Sequence, residues 1–261
     1  MPAADLPLLI EAAYEAGRIA RSFNGAAKSW NKPDDAGPVT EADLAVNDML
    51  EETLQAARPD YGWLSEETQD TPARLSRERV FIVDPIDGTR SFVEGDDSWA
   101  HALAVTQNGI VTAGVVYLPM RDLLYAAALG QGATLNGQPI RPTERTDLAS
   151  AEILATRPIL HASNWSSGTA PTFRRAYRPS LAWRMALVAE GRFDGLLTMR
   201  RCWEWDIAAG DLILREAGAI STDARNAPLR FNNPDPVRPG LIAAGPGLHA
   251  QIAAAVRPPA A

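Results

Sequence analysis

The sequence predicts a mixed α/β protein of the α+β type, and three observations carry that prediction. Apolar residues at helical spacing open the chain, β-rich runs separated by turn signals fill its middle, and strands alternate with helices from about Thr146 onward. The expected division is 1–145, an N-terminal α+β portion with a large antiparallel sheet, and 146–261, an α/β portion. A chain of 261 residues accommodates one large domain or two closely packed ones. Its 46% hydrophobic and 22% charged residues are ordinary globular values, which leaves little room for extended disorder.

Leu6, Leu9, Ile10, Ala13, Ala16, Gly17 and Ala20 recur at helical spacing, predicting an amphipathic helix over about residues 5–22. A polar segment with Lys32, Pro33, Asp34 and Asp35 follows. Thr40 suits an N-cap, with Asp43 in the first turn of a second helix whose apolar face draws on Leu44, Met49, Leu50 and Leu54. Residues 61–64 and 80–83 are short apolar runs that end in acids, Glu66-Glu67 and Asp84, and read as strands delivering carboxylates to one sheet edge. From Ala102 to Leu135, turn signals such as Asn108-Gly109 punctuate an antiparallel meander, and Asn136-Gly137 adds another turn. Beyond it the pattern predicts a strand at 152–155, a helix over about 180–190 and a strand at 195–197. A helix at 206–217, strands at 219–222 and 241–244 and a closing helix complete it, with 258–261 as a frayed tail.

The net charge of -7 argues against a duplex nucleic-acid binder, which needs clustered Lys and Arg, and leaves acidic side chains available for cations. Lys28 and Lys32 are the only lysines, so a lysine close to a cluster of acids is informative. The single cysteine, Cys202, excludes an internal disulfide, and no Cys/His spacing suggests zinc. His101, His161 and His249 match no metal or triad template and read as structural or surface residues. Trp165, in a polar loop, is a candidate cover for a substrate. With no leader pattern and no long apolar run, a cytoplasmic location and no membrane partner are expected.

The segment Asp84-Pro85-Ile86-Asp87-Gly88-Thr89 places two carboxylates three residues apart where a buried strand is expected to stop. Such a turn can aim both acids and the Ile86 carbonyl at one point, while Gly88 permits close backbone approach and Thr89 opens a helical segment suited to phosphate oxygens. Two carboxylates about 4 Å apart repel by roughly 4 kcal/mol at an effective dielectric of 20, a conflict that divalent cations resolve. An all-oxygen set suits Mg²⁺, with Mn²⁺ as a substitute, better than zinc. Metals held there would polarise a phosphoryl oxygen, activate a water and stabilise a departing alkoxide. Taken alone, Asp-Gly-Thr favours reading Asp84 and Asp87 as turn and cap residues. Glu66-Glu67, Asp43 beside Val39-Thr40, and Trp205-Asp206-Ile207-Ala208-Ala209-Gly210 tip the reading toward metal chemistry.

Taken in order, those four motifs resemble the inositol monophosphatase family over about residues 30–217. The resemblance implies a layered αβαβα sandwich, a homodimer, two to three Mg²⁺ ions and inhibition by lithium. It implies that Glu66, Asp84 and the Ile86 carbonyl hold the first metal, Asp84, Asp87 and Asp206 the second, and Glu66 a weaker third. Gly88 and Thr89 resemble the family's phosphate-binding amides, Asp206 adjoins the substrate, and Thr89 with Asp43 would orient and deprotonate the attacking water. Lys32 stands where the family often has an accessory lysine. Glu67 reads either as a supporting base or as a surface acid.

Two departures stand out. The stretch Pro179-Ser180-Leu181-Ala182 replaces a small-residue segment, and Thr198-Met199 falls where a Glu precedes the metal-binding Asp. Arg200 and Arg201 lie close by and suit a second phosphate or carboxylate on the substrate. The expected activity is hydrolysis of inositol-1-phosphate or a similar polyol phosphate. The alternatives are a 3'(2'),5'-bisphosphate nucleotidase, a histidinol-phosphatase, or a non-catalytic relative. Glycoside hydrolysis by paired carboxylates needs no metal and fits the clustered Asp84 and Asp87 poorly.

Overall fold

In the computed structural model, which describes residues 2–23, 27–32 and 37–259, the chain opens with α1 (Pro2–Ser22). A ribbon of β1 (Ser29–Asn31) and β2 (Pro38–Thr40) and then α2 (Glu41–Ala57) follow. Pro33, Asp34 and Asp35 of the polar segment and the last two residues of the tail lie outside the described residues. Thr40 caps α2 reciprocally: its hydroxyl accepts from the Ala42 and Asp43 N–H groups, and the Asp43 carboxylate accepts the Thr40 N–H at 2.9 Å. This cap fixes Asp43 against the helix start. The apolar face of α2 departs from the expected one, since Val46, Leu50 and Leu54 are buried while Leu44 is 36% exposed. Leu44 lies two residues, or about 200°, around the helix from Val46 and so points away from the core.

β3 (Gly62–Ser65), β4 (Arg79–Asp87), the short α3 (Thr89–Val93), β5 (Ala100–Gln107) and β6 (Ile110–Leu118) come next, then β7 (Leu123–Ala128), β8 (Ala133–Leu135) and β9 (Gln138–Pro139). The strands form a seven-stranded sheet in chain order, parallel between β3 and β4 and antiparallel thereafter. Asn108-Gly109 and Asn136-Gly137 each place both residues at positive φ, the two-residue hairpin geometry whose twist matches the flanking strands.

Alternation along β4 sorts the core. Phe81 and Val83 pack under α1 and α2 with Leu9, Ala16 and Leu50, whereas Val80 and Ile82 face the opposite side. The rest of the chain builds onto that opposite side. β10 (Glu152–Leu154), β11 (Arg174–Ala176), α4 (Leu181–Ala189), β12 (Gly195–Thr198), β13 (Cys202–Trp203) and α5 (Glu204–Ala217) lead into β14 (Ile220–Thr222), β15 (Val237–Arg238), β16 (Leu241–Ala244) and α6 (Pro246–Ala255). A mixed sheet runs β11-β10-β12-β16-β14, with β10 parallel to both neighbours and β16 antiparallel to both of its own.

α4 and α5 fill the space between the sheets, where Met185 and Leu212 meet Ile82 and Val116 on one side and Leu196 and Ala243 on the other. The fit is tight enough that a Cβ on Gly210 would lie 2.7 Å from Met185, which explains glycine at the end of the Trp-Asp motif. α6 closes the far face with Leu248 and Ile252 on Ile153, Leu197 and Ile242. The layers are therefore α1/α2, sheet, α4/α5, sheet, α6, an αβαβα sandwich. Trp165 does not cover a substrate: it is 1% exposed within this last layer, its indole N–H donating to the Ile159 carbonyl at 2.8 Å. Among the described residues no helix is long and apolar enough to cross a membrane.

Candidate active site

β4 does not stop at Asp84 as expected; it continues to Asp87 across an irregularity. Asp84 pairs with Ala102 and Asp87 with Ala100, so three steps on β4 oppose two on β5. In an unbroken strand, residues three apart point to opposite faces; the extra residue reverses that parity and brings both carboxylates to one side. Pro85, lacking an N–H for the ladder, occupies the bulge. The turn is pinned from beneath by fully buried His101, whose Nδ1–H donates to the Pro85 carbonyl. Burial lowers the His101 pKa to about 4, so the ring is neutral at ordinary pH. Gly88 follows at φ 99°, where any Cβ would also lie 3.3 Å from the Ser98 carbonyl, and hands the chain to Thr89.

Asp206 reaches the same point from the other half of the chain. α5 begins two residues earlier than expected, at Glu204, so Asp206 is its third residue and not its cap. Its carboxylate accepts the Trp203 N–H at 3.3 Å, and the helix start favours its negative charge. Oxygens of Asp84, Asp87 and Asp206 lie within 4.8 Å of one another. The departing segment 179–182 turns out to hold one of them: the Ser180 hydroxyl and the Ala182 N–H both donate to Asp87 Oδ2 at 2.6 Å. Ser180 is also the N-cap of α4.

Glu66 follows β3 and lines the same cavity, of about 280 Å³. Its carboxylate accepts from Lys32 Nζ at 2.8 Å, and Glu67 accepts from the same ammonium at 2.6 Å. Glu66 thus stands beside the three-acid cluster but is engaged by Lys32. Asp43, 1% exposed, accepts from the Thr89 hydroxyl at 3.3 Å, and that hydroxyl also lies 3.1 Å from the Ile86 carbonyl.

Burial, then repulsion from Glu66, Asp87 and Asp206, drives the Asp84 pKa well above the carboxylate range. Asp206 is raised likewise by burial and by Asp87 and Glu66. Burial raises Asp87 less, because Ser180, Ala182 and the Arg184 guanidinium favour its ionised form. Asp43 rises to about 6 and Glu67 to about 7, chiefly by burial. For Lys32, burial works against the charge, but Glu66 and Glu67 outweigh it and raise the pKa. Asp84 Oδ1 is buried with no hydrogen-bond partner, a costly state for a carboxylate. A divalent cation would supply the missing partner and remove the repulsion at once, and the all-oxygen donor set fits a hard ion.

Arg200 and Arg201 do not join the site. Both are exposed and neither lines the cavity; Arg201 pairs with Asp235 at 3.0 Å on the surface. Their place is taken by residues that spacing did not single out: Arg90 at the mouth, Arg184 beneath Asp87, and Tyr177 and Trp203 on the rim. Buried Glu204 has a scaffolding role, accepting from the backbone N–H groups of Asn232 and Asn233. Only the cap-like Ser180 before an apolar run carried a readable sequence signal. Cys202 is buried with its thiol pushed up to about 12 by burial, and so is inert.

The profile of the inositol monophosphatase family matches residues 5–259. An inositol-1-monophosphatase of Rhizobium meliloti (strain 1021) is 36% identical over 237 residues, 84% of this chain and 85% of that protein. The Nus factor SuhB of Escherichia coli (strain K12) is 31% identical over 236 residues, 84% of each. The crystal structure of extragenic suppressor protein suhB from Bartonella henselae superposes with a TM-score of 0.81 at 29% identity, over 96% of this chain and 97% of that one. Sequence profile, relatives and layered fold agree along nearly the whole chain, which belongs to the inositol monophosphatase family and is a phosphoric monoester hydrolase.

Proposed function

We propose that the chain hydrolyses small phosphate monoesters with Mg²⁺, and that two to three ions are held by Glu66, Asp84, Asp87, Asp206 and the Ile86 carbonyl. The observation that carries this reading is the convergence of Asp84, Asp87 and Asp206 within 4.8 Å, with Asp84 Oδ1 lacking any partner. Glu66 joins the set when Lys32 Nζ turns from it toward Glu67, which the ammonium already contacts. When bound, the cations acidify the attacking water and offset charge on the phosphoryl oxygens and departing alkoxide.

The chain's own groups supply the rest. Thr89 Oγ1 accepts a proton from the water as its own passes to Asp43 Oδ1, a buried carboxylate held in place by the Thr40 cap. Glu67, behind Glu66 and paired with Lys32, is the supporting acid–base group. The Gly88 and Thr89 amides orient the phosphate. We assign inositol-1-phosphate or a similar polyol phosphate to the substrate range, supported by the name of the Rhizobium meliloti relative; bisphosphorylated nucleotides and histidinol phosphate are the alternatives. A homodimer, lithium sensitivity and a cytoplasmic setting belong to the same reading. The net charge of -7 favours small substrates over a nucleic-acid polymer or membrane surface.

Purified protein should release phosphate from such esters with Mg²⁺, stop with EDTA and recover on adding Mg²⁺ or Mn²⁺. Asp87→Asn should abolish most of that activity. Turnover that persists in EDTA, or survives Asp87→Asn, would exclude the metal assignment.

A further inference from the structure

The four acids of the cavity are carried by different parts of the chain. Asp84 and Asp87 are fixed within β4 by its ladder with β5. Glu66 directly follows β3 and opens the connection to β4, whereas Asp206 rides on the start of α5, from the other half of the molecule. Asp206 and Glu66 repel each other and the acids of β4, so the two walls need an attachment outside the cavity to hold them at a set separation.

A chain of hydrogen bonds supplies one. Arg74, in the 3-10 turn Pro72–Ser76 of the β3–β4 connection, is 3% exposed, and its guanidinium donates to both oxygens of Asp70 at 2.6 and 2.7 Å. The same group donates to Asn232 Oδ1 at 2.7 Å, 158 positions along the chain, and to the Asn233 carbonyl at 3.0 Å. Asn232 returns a bond from its amide to the Arg74 carbonyl at 3.3 Å. It adopts φ 60°, a left-handed conformation that Asn tolerates, and gives its backbone N–H to Glu204 Oε2 at 2.6 Å. Glu204 Oε1 accepts from the Asn233 N–H at 3.2 Å and from the Asn233 side-chain amide at 2.6 Å. Glu204 is fully buried and is the first residue of α5, two before Asp206. Arg74, Asn232, Asn233 and Glu204 leave no buried side-chain polar atom without a partner, and none of the four lines the acid cavity. A buried polar network satisfied throughout is rigid, and buried charges contribute geometry more than net stability.

We propose that Arg74 is a positioning residue for the metal-dependent reaction: linked through Asn232 and Asn233 to Glu204, it braces the connection that carries Glu66 against the start of α5 and sets the separation of Glu66 from Asp206 before any ion binds. The proposal rests on the metal-dependent phosphatase reading above and adds to it a determinant of metal affinity that touches neither ion nor substrate.

The test is a calorimetric Mg²⁺ titration without substrate, run beside thermal melts in EDTA. Arg74→Met, which keeps an apolar stem and removes the guanidinium, should weaken Mg²⁺ binding by about tenfold, the scale of lost outer support for metal ligands. Glu204→Gln should weaken it by a similar factor, and the double variant no further than either single one, because each change opens the same brace. Asp70→Asn, at a partly exposed carboxylate, covers the case in which Arg74→Met does not fold, and should weaken Mg²⁺ by about threefold as a charge-assisted grip becomes a neutral one. Asp194→Asn lowers stability away from the brace and should leave Mg²⁺ affinity unchanged. Unchanged affinity in Arg74→Met or Asp70→Asn, or equal weakening in Asp194→Asn, would overturn the brace and leave the phosphatase reading intact. A wild-type protein that takes up no Mg²⁺ would overturn the metal reading and the brace with it.

Discussion

Asp84, within β4, and Asp194, just before β12, are both buried carboxylates, and the protein treats them in opposite ways. Asp194 accepts from the Glu152 N–H, the Thr143 hydroxyl and Arg145 at 2.8–3.0 Å. Burial works to raise its pKa, but those three donors outweigh it and hold the carboxyl below its usual range. Asp84 has four acids for neighbours, Glu66, Asp87, Asp206 and Asp43, no partner for Oδ1, and a pKa driven far upward. One acid ties loop to sheet; the other is left unsatisfied where a cation can reach it. Burial alone therefore does not mark a functional carboxylate here, whereas burial without a donor does.

Neutralising each acid separates the two roles most sharply. Asp84→Asn should lower Mg²⁺-dependent turnover by about a thousandfold, roughly 4 kcal/mol of lost transition-state stabilisation, while leaving the melting temperature in EDTA unchanged or higher. Asp194→Asn should do the reverse, costing about 1–3 kcal/mol of stability with turnover nearly retained. Phosphate-release assays beside calorimetry in EDTA read both. A large loss of metal-free stability in Asp84→Asn would mean that its carboxylate is structural after all.

The pH dependence of the metal-free protein extends the contrast. A carboxyl raised in the fold holds its proton where the unfolded chain has lost it, so stability is present at low pH and declines as pH rises toward the folded value. Asp43, raised from 3.8 to about 6, contributes a decline of about 3 kcal/mol over that window, with Glu67 extending it toward 7. Asp194 and Asp70, held low, act mainly below that window and with the opposite sign. Melting temperature in EDTA should fall from pH 4.5 to 7.5, and Mg²⁺ should stabilise most at the upper end. A metal-free protein most stable at pH 7.5 would contradict the raised values.

Ser180 offers a smaller and more local effect. Removing its hydroxyl deprives Asp87 of one of two donors and α4 of its cap. Ser180→Ala should weaken Mg²⁺ affinity by about tenfold, the lower end for lost support of a metal ligand, and cost about 1 kcal/mol of stability. Ser180→Thr, which keeps the hydroxyl, should restore most of the affinity in an activity-based Mg²⁺ titration. Equal affinity in all three proteins would show that the Ala182 N–H alone orients Asp87.

What the sequence disclosed and what it withheld follow from the range of the interactions. The meander, the Thr40 cap and most strand and helix cores were legible because alternation, helical spacing and Asn-Gly turns are local signals. The acids of the four motifs were legible as candidates because each ends a strand or opens a helix. The continuation of β4 to Asp87 was not, since a bulge depends on the partner strand β5. The grip of Ser180 on Asp87 joins residues 93 positions apart, and no spacing rule reaches that far. Leu44 and Trp165 misled for the same reason, since only tertiary packing decides which apolar residue faces inward.

The smallest expected effect concerns the arginines that spacing favoured. Arg200 and Arg201 follow a strand and precede the Trp-Asp motif, which made them attractive anion ligands, yet the chain turns their side chains outward. Arg201 and Asp235 are 72% and 71% exposed, and an ion pair so open to solvent contributes at most about 1 kcal/mol. Arg201→Ala should leave kcat/KM within about twofold for esters with one phosphate or two, because a screened surface cation adds little at a distance from the reacting phosphorus. Arg90, on the cavity wall, supplies the contrast, and Arg90→Ala should raise KM several-fold. If Arg201→Ala selectively weakened turnover of a bisphosphorylated ester, the 200–201 turn would have to move inward when substrate binds, and the boundary drawn here between scaffold charge and site charge would shift with it.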